Sequence, residues 1–307
     1  MYHFIINPNS RSGKGGLIWN QLEDTLKKQK IEFQAHFTEH KGHAAQISQK
    51  LSSNASKEDP VTLIAVGGDG TIQEVLSGVS DLSTILFGYI PTGSGNDFCR
   101  SMNIPRDPQK ALEQILNCKT HIPMDVPYLS CIPDSGHFAI SCGIGFDAAV
   151  CHEVSVTPMK KILNRFGLGK LVYLFVALKQ ILFLKPAPMS IVLDSDQKIE
   201  FSKVYFAAVM NQKYEGGGFK FCPAANPSDG FLDVIVIDSL SKLKILLCLP
   251  TAFFGKHTRF RGIHILRCTQ IHVHSSVPLP IHKDGEASGI GQEISVSVEP
   301  KQVTMLL

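Results

Sequence analysis

Along the first third of the chain, apolar residues come in short, nearly continuous runs. Each run is closed by glycine, proline or asparagine. Tyr2–Ile6 stops at Asn7-Pro8, Val61–Val66 (VTLIAV) stops at Gly67-Gly68-Asp69-Gly70, and Ile85–Ile90 stops at Pro91-Thr92-Gly93. An apolar run with no polar alternation suits a parallel strand covered on both faces, because neither face meets water. Leu17–Lys28, Ala44–Leu51 and Thr71–Val79 read as helices, another helix begins near Phe98, and Phe33–Phe37 reads as a short strand. Strand and helix in alternation, with glycine-rich loops at strand ends, predict an α/β domain that binds its ligand at the carboxyl edge of the sheet.

After about Val126 the pattern changes. Phe138–Cys142, Ser190–Leu193, Val204–Met210, Leu232–Ile237, Ile263–Leu266, Ile271–His274 and Ile294–Val298 are short β-rich runs separated by turns. They predict a mostly antiparallel, sandwich-like second domain with helical insertions at roughly 158–184 and 241–254. The expected division is an α/β domain over 1–127 and a β-rich domain over 128–291, with no internal repeat.

With 44% hydrophobic residues in 307, a disordered or collagen-like chain is excluded. The net charge of +3 is too small to mark a nucleic-acid binder, and one Trp with 8% aromatics makes no stacking platform, so no nucleic-acid partner is expected. The 8 cysteines form no C-x-x-C pair and fit no zinc module, which points to reduced thiols. MYHFIINPNS lacks a basic segment followed by an apolar one, and no uncharged run approaches the ~18 residues that span a bilayer. A cytoplasmic protein is expected.

The distribution of charge changes this picture. Val154–Leu193 and Ser239–Lys283 contain no Asp or Glu. The first carries Lys160, Lys161, Arg165, Lys170, Lys179 and Lys185; the second carries Lys242, Lys244, Lys256, Arg259, Arg261, Arg267 and Lys283. They are also the most apolar parts of the chain, with LVYLFVAL, ILFL and ILLCLPTAFF. Solvated lysines flanking buried helices explain each stretch singly. The two together favour a peripheral face over 158–185 and 241–261 for an anionic membrane surface, the inner face of the membrane for a cytoplasmic protein.

Three strand-end loops carry candidate chemistry: Asn7-Pro8-Asn9-Ser10-Arg11-Ser12-Gly13-Lys14-Gly15, Gly67-Gly68-Asp69-Gly70-Thr71 and Thr92-Gly93-Ser94-Gly95-Asn96-Asp97. Glycine lets backbone amides approach phosphate oxygens, and each following helix adds partial positive charge. The hydroxyls of Ser12, Thr71, Thr92 and Ser94 can donate to the same oxygens. One such loop is an ordinary turn; three in succession predict a polyphosphate site. The first is no Walker A, because Pro8 stands where the first glycine is required. Asp69 would repel phosphate unless a cation such as Mg²⁺ lay between them, and it also suits a helix cap.

Gly143-Ile144-Gly145-Phe146-Asp147-Ala148 matches a dinucleotide fingerprint but sits in the β-rich half without a βαβ unit, so no NAD site is expected there. In His282-Lys283-Asp284-Gly285-Glu286, a hairpin turn explains Asp-Gly; the functional reading makes Glu286 a general base with Asp284 near metal. The run from Pro223 to Asp233 is rich in oxygen ligands and reads as a turn or a structural cation site.

NPNSRSGKG, GGDGTIQEV, PTGSGNDFCR, FAISCGIGFDAAV, GGGFKFCPAANPSDGFLDV and HKDGEA occur in the order seen in the bacterial diacylglycerol kinase family, which is related to sphingosine and ceramide kinases. The resemblance runs from Phe4 to about Ala287. GGDGT is shared with NAD kinases and phosphofructokinases; PTGSGNDF with a late DGE is more specific to the lipid kinases. The resemblance implies a nucleotide-binding α/β domain, a β-rich lipid domain, an active site in the cleft between them and a C-terminal segment of about 292–307 returning to the first domain. It implies that ATP is held by Asn9, Ser12, Gly13, Lys14, Thr38, Gly67, Gly68, Gly70, Thr71, Thr92, Gly93, Ser94, Gly95 and Asn96. Lys14, Arg100 and Asp125 match a charged network behind the nucleotide, and Asp69 reaches Mg²⁺ through water. Glu286 matches the general base. Asp229 and the carbonyl of Phe231 match a structural Mg²⁺ site, with Asn226 as a weaker further ligand than a carboxylate. The implied function is ATP- and Mg²⁺-dependent phosphorylation of the primary hydroxyl of diacylglycerol, or a similar lipid alcohol, to phosphatidic acid. The alternatives are a soluble kinase of NAD or a related metabolite, and a catalytically silent lipid-binding regulator. A homodimer is compatible with the family.

Overall fold

In the computed structural model, residues 1–93, 96–118, 120–157, 169–183, 185–298 and 303–307 are described. Ser94, Gly95 and the stretch 158–168, with Lys160, Lys161 and Arg165, lie outside the described residues. The chain forms two compact units, Met1–Val126 with Pro300–Leu307, and Pro127–Glu299.

The first unit is built on a six-stranded sheet. Its strands are β1 (Tyr2–Ile6), β2 (Phe33–Phe37), β3 (Val61–Gly67), β4 (Ile85–Pro91), β5 (His121–Met124) and β15 (Val303–Leu306), in the order β2-β1-β3-β4-β15-β5. β1 to β4 run parallel, β15 joins parallel to β4, and β5 closes the edge antiparallel to β15. Leu63, Ile64, Ala65 and Val66 of β3 are all fully buried, so both faces of this strand are covered, as its unbroken apolar run requires. The helices are α1 (Ser10–Gly13), α2 (Gly15–Lys28), α3 (His43–Ser52), α4 (Asp69–Gly78), α5 (Asp97–Met102) and α6 (Pro108–Leu116). Trp19 of α2 packs on Phe4 of β1 with ring centroids 5.1 Å apart. α6 and β5 were not anticipated. α6 nonetheless carries a clear start, with Asp107 accepting from the Lys110 amide and proline at the first helical position. β5 contains Pro123, which an edge strand tolerates.

The second unit is antiparallel throughout. Its strands are β6 (Tyr128–Ser130), β7 (Gly136–His137), β8 (Ser141–Gly145), β9 (Ala187–Leu193), β10 (Gln197–Met210), β11 (Leu232–Asp238), β12 (Ile263–Cys268), β13 (Gln270–Lys283) and β14 (Glu286–Ser297). β10 pairs with β9 in its first half and with β8 in its second, and β13 does the same. Both strands pass between neighbours through register shifts, at Phe201/Val204 and His274/Leu279. Such irregularities bend a strand and let it serve two layers. Ile144, Ile191, Val209, Val273, Ile281 and Val296 meet in the core enclosed this way. The expected strand Ile271–His274 is therefore only the first part of a 14-residue strand. Pro278 reads as a break but falls inside the register shift, where the ladder is already interrupted. Helices occur at α7 (Phe146–Val156), Gly169–Phe183 and Lys242–Ala252. No helix among the described residues is long and apolar enough to cross a membrane. The segment that rejoins the first unit is Pro300–Leu307, shorter than the expected 292–307, because β14 keeps residues through Ser297 in the second sheet.

Candidate functional site

The three strand-end loops of the first unit meet. Gly67 closes β3, and its carbonyl accepts from the amides of both Thr92 (2.7 Å) and Gly93 (3.0 Å) in the loop after β4. Ser10, in the loop after β1, shares a hydrogen bond with Thr92 between their hydroxyls at 2.7 Å and donates to the Asn7 carbonyl at 2.8 Å. The Asn7 amide in turn donates to the Val66 carbonyl of β3. Gly68 is extended (φ −102°, ψ −175°) and caps α4, so this helix begins at Asp69, two residues before the expected Thr71. The Thr71 amide closes the first turn on the Gly68 carbonyl at 2.9 Å, with its side chain buried. Gly70 is the second residue of the same helix. Asn9 precedes α1 and its carbonyl accepts from the Gly13 amide. Lys14 is exposed between α1 and α2; Ser12 lies in α1. Thr38 is buried at the end of β2, its amide on the Ile6 carbonyl at 2.8 Å.

An acidic pair and a cation sit at these loops. Asp97 is buried at the start of α5, and its amide donates to Asp69 Oδ2 at 3.4 Å. One turn on, Arg100 donates to Asp97 Oδ1 at 2.6 Å. Asn96, left-handed at φ 57°, turns the chain into this helix. Asp97 was missed as a site residue. Its signal was its place at the end of the glycine loop and three residues before Arg100, the spacing at which helix side chains meet. Asp125 is fully buried just past β5. Asp69 supplies hard carboxylate oxygens beside the loop amides, a donor that fits Mg²⁺, while Asp97 is taken up by Arg100.

In the second unit, Asp284 (φ 49°) and Gly285 (φ 78°) make the turn between β13 and β14, and Glu286 is exposed directly after it. Asp284 accepts from the amides of Ala139 (2.8 Å), Ile140 (2.7 Å) and Ser141 (3.0 Å). Burial pushes its carboxyl pKa up against the pull of these three amides. Asp284 thus anchors the turn to the chain that leads into β8, with both its oxygens on backbone amides. The same bonds explain why β8 starts at Ser141 and not at Phe138.

Beneath the turn lies a buried cluster that the sequence reading did not anticipate. His282 Nε2 stands 3.0 Å from Asp147 Oδ2 and 3.4 Å from Glu215 Oε1. Burial alone would lower the His282 pKa, but Glu215 and Asp147 reverse this and lift it to about 9. A Cβ on Gly143 would fall 2.3 Å from Asp147 Oδ2 and 2.8 Å from His282 Nε2. The dinucleotide-like glycine is there to admit this cluster, and its strand, β8, runs antiparallel to both neighbours.

Asp229 of the predicted structural cation site binds a side chain. Its Oδ2 accepts from Arg267 at 2.6 Å and its Oδ1 from the Phe231 amide at 3.1 Å. Asn226 Oδ1 accepts from the Ser228 amide at 3.3 Å.

Comparison with known proteins agrees with this architecture. Residues 1–127 match the diacylglycerol kinase catalytic domain, and residues 141–307 match the YegS C-terminal NAD kinase beta sandwich-like domain. YtlR of Bacillus subtilis (strain 168), which is named for a lipid kinase, is 32% identical over 94% of this chain and 94% of its own. A diacylglycerol kinase of Mycobacterium tuberculosis (strain H37Rv) is 28% identical over 85% of this chain and 82% of its own. The crystal structure of a diacylglycerol kinase from Bacillus anthracis str. Sterne superposes with a TM-score of 0.71 at 20% identity, over 99% of this chain and 96% of that one, and so shares the fold. The chain belongs to the diacylglycerol kinase-like family of lipid kinases.

Proposed function

We propose that the protein transfers the γ-phosphoryl group of ATP to the primary hydroxyl of diacylglycerol or a similar lipid alcohol. The observation that carries this reading is the meeting of three glycine-rich strand-end loops around Asp69, Asp97 and Arg100. Phosphoryl transfer needs positioning and charge neutralisation, not a covalent intermediate. Mg²⁺, held through Asp69, would neutralise charge on the phosphates. The loop amides, the Thr71 and Thr92 hydroxyls and Lys14 bind and orient the triphosphate, while Arg100 holds Asp97 in place. Glu286 takes the proton from the lipid hydroxyl as its oxygen bonds to the γ-phosphorus; the bond to the bridging oxygen breaks and ADP leaves.

The lipid requires a membrane face, and the second unit supports one. Leu243, Leu247 and Phe254 on and after the helix Lys242–Ala252 are 66%, 65% and 74% exposed, and Leu182 and Phe183 at the end of Gly169–Phe183 are exposed likewise. Lys242 Nζ donates to the Leu182 carbonyl and joins the two helices. Lys244, Lys256, Arg259 and Arg261 are exposed in the same segment of chain, which holds no acid. Exposed basic and apolar residues in one segment suit an anionic bilayer, each cation adding about 1 kcal/mol near its surface. Lys244→Glu with Lys256→Glu is expected to weaken sedimentation with phosphatidylglycerol vesicles at least about tenfold and to flatten its salt dependence. Unchanged binding would remove this face from the role.

The function is tested by transfer of labelled phosphate from ATP to diacylglycerol, monoacylglycerol, ceramide, sphingosine and a polyprenol in mixed micelles, with NAD as the soluble control. Label on a lipid is the expected result; label on NAD alone would overturn the reading.

A further inference from the structure

The family implies a structural Mg²⁺ in the turn that leads into β11, and the residues standing there do not fit one. Asp229 is the one carboxylate among the matched ligands, and both its oxygens are engaged, one by the Arg267 guanidinium and one by the Phe231 amide. The carbonyl oxygen of Asn226 is engaged within its own turn by the Ser228 amide. The guanidinium lies over the Phe231 ring, 4.3 Å from its centroid, and a planar, weakly hydrated cation favours such stacking. Arg267 is also the cross-strand partner of Asp233, the next acid along the chain. Burial pushes the Asp233 carboxyl pKa up and Arg267 draws it back down. One side chain from β12 thus touches an acid and an aromatic of the turn and faces the acid of β11. A divalent cation at Asp229 would sit against this guanidinium, like charge beside like charge.

We propose that Arg267 takes the place of the structural cation, closing the turn from Asn226 to Asp233 onto β12 through Asp229 and Phe231, so that the β-rich unit folds and holds without Mg²⁺. Any Mg²⁺ requirement of the protein then arises elsewhere in the chain.

Thermal unfolding of the full chain, without nucleotide or lipid, tests this independently of the proposed activity. The wild-type Tm is expected to be the same in EDTA and in millimolar Mg²⁺. Arg267→Ala is expected to lower Tm by about 2–4 °C, the size that loss of one partly exposed charge-assisted contact gives in a domain of this length. Mg²⁺ should recover part of that loss, because Asp229 is then released to bind it. Asp229→Asn should lower Tm similarly and show no recovery. A rise in wild-type Tm with Mg²⁺ that disappears in Asp229→Asn would overturn the proposal, as would an Arg267→Ala protein as stable as the wild type. A rise that persists in Asp229→Asn comes from another site and leaves the proposal standing. Should Arg267→Ala fail to fold, the comparison of wild type with Asp229→Asn still decides.

Discussion

Glu286→Gln is expected to remove phosphoryl transfer while ATP still binds. Glutamine keeps the shape of the side chain and loses the basicity, so the change isolates the proton-accepting step, which is worth typically about 10²–10⁴-fold. The carboxylate stands at the first residue of β14, on a turn whose geometry is fixed from below. Asp284 holds three amides, its own amide donates to the Ser141 carbonyl at 2.8 Å, and His282 is locked against Asp147 and Glu215. Glutamine is isosteric with glutamate and the turn is held by other residues, so the variant should stay folded, which its Tm checks. The measurement is single-turnover transfer from labelled ATP to diacylglycerol in micelles, beside direct titration with ATP. Turnover within about threefold of wild type would take Glu286 out of the role. Loss of ATP binding would mean that its effect is on the nucleotide instead.

How far the sequence carried depended on how local each cause was. β1, β3 and β4 were legible because a strand buried on both faces writes a nearly continuous apolar run. The three loops were legible singly from glycine and hydroxyl residues, yet nothing local says that Ser10 touches Thr92 or that Gly67 accepts from two amides of another loop. In the second unit, the length of β10 and β13 was hidden by register shifts that look like turns. The hold of Asp284 on the turn was not legible, because its partners, the amides of Ala139 to Ser141, lie more than a hundred residues away. Arg267 was assigned to a basic stretch, and only the pairing of β11 with β12 brings it to Asp229. The cluster of His282 with Asp147 and Glu215 was illegible for the same reason. Its one local trace, Gly143, looked like part of a nucleotide fingerprint.

Gly93→Ala is the sharpest test of whether the meeting of the loops does the binding. A Cβ at this position would fall 2.7 Å from the Gly68 Cα, a backbone atom with no rotamer to yield. The loop after β4 and the start of α4 must therefore part by roughly 1 Å to restore van der Waals contact. The carbonyl of Gly67 would then lose the geometry that now serves both Thr92 and Gly93. A misplacement of about 1 Å in a positioning element can cost about 10²-fold, and kcat/KM for ATP is expected to fall by that order. Gly16→Ala is the matching control: its Cβ would meet Pro8 Cβ at 3.8 Å, an ordinary contact, and α2 should accept it. Near-UV circular dichroism and Tm separate a shifted loop from a lost fold, since the strands beneath are buried on both faces and do not depend on Gly93. Wild-type kinetics in Gly93→Ala would show that the close approach of the two loops is packing alone, and the phosphate site would have to be sought in the amides of α1 and α2 instead.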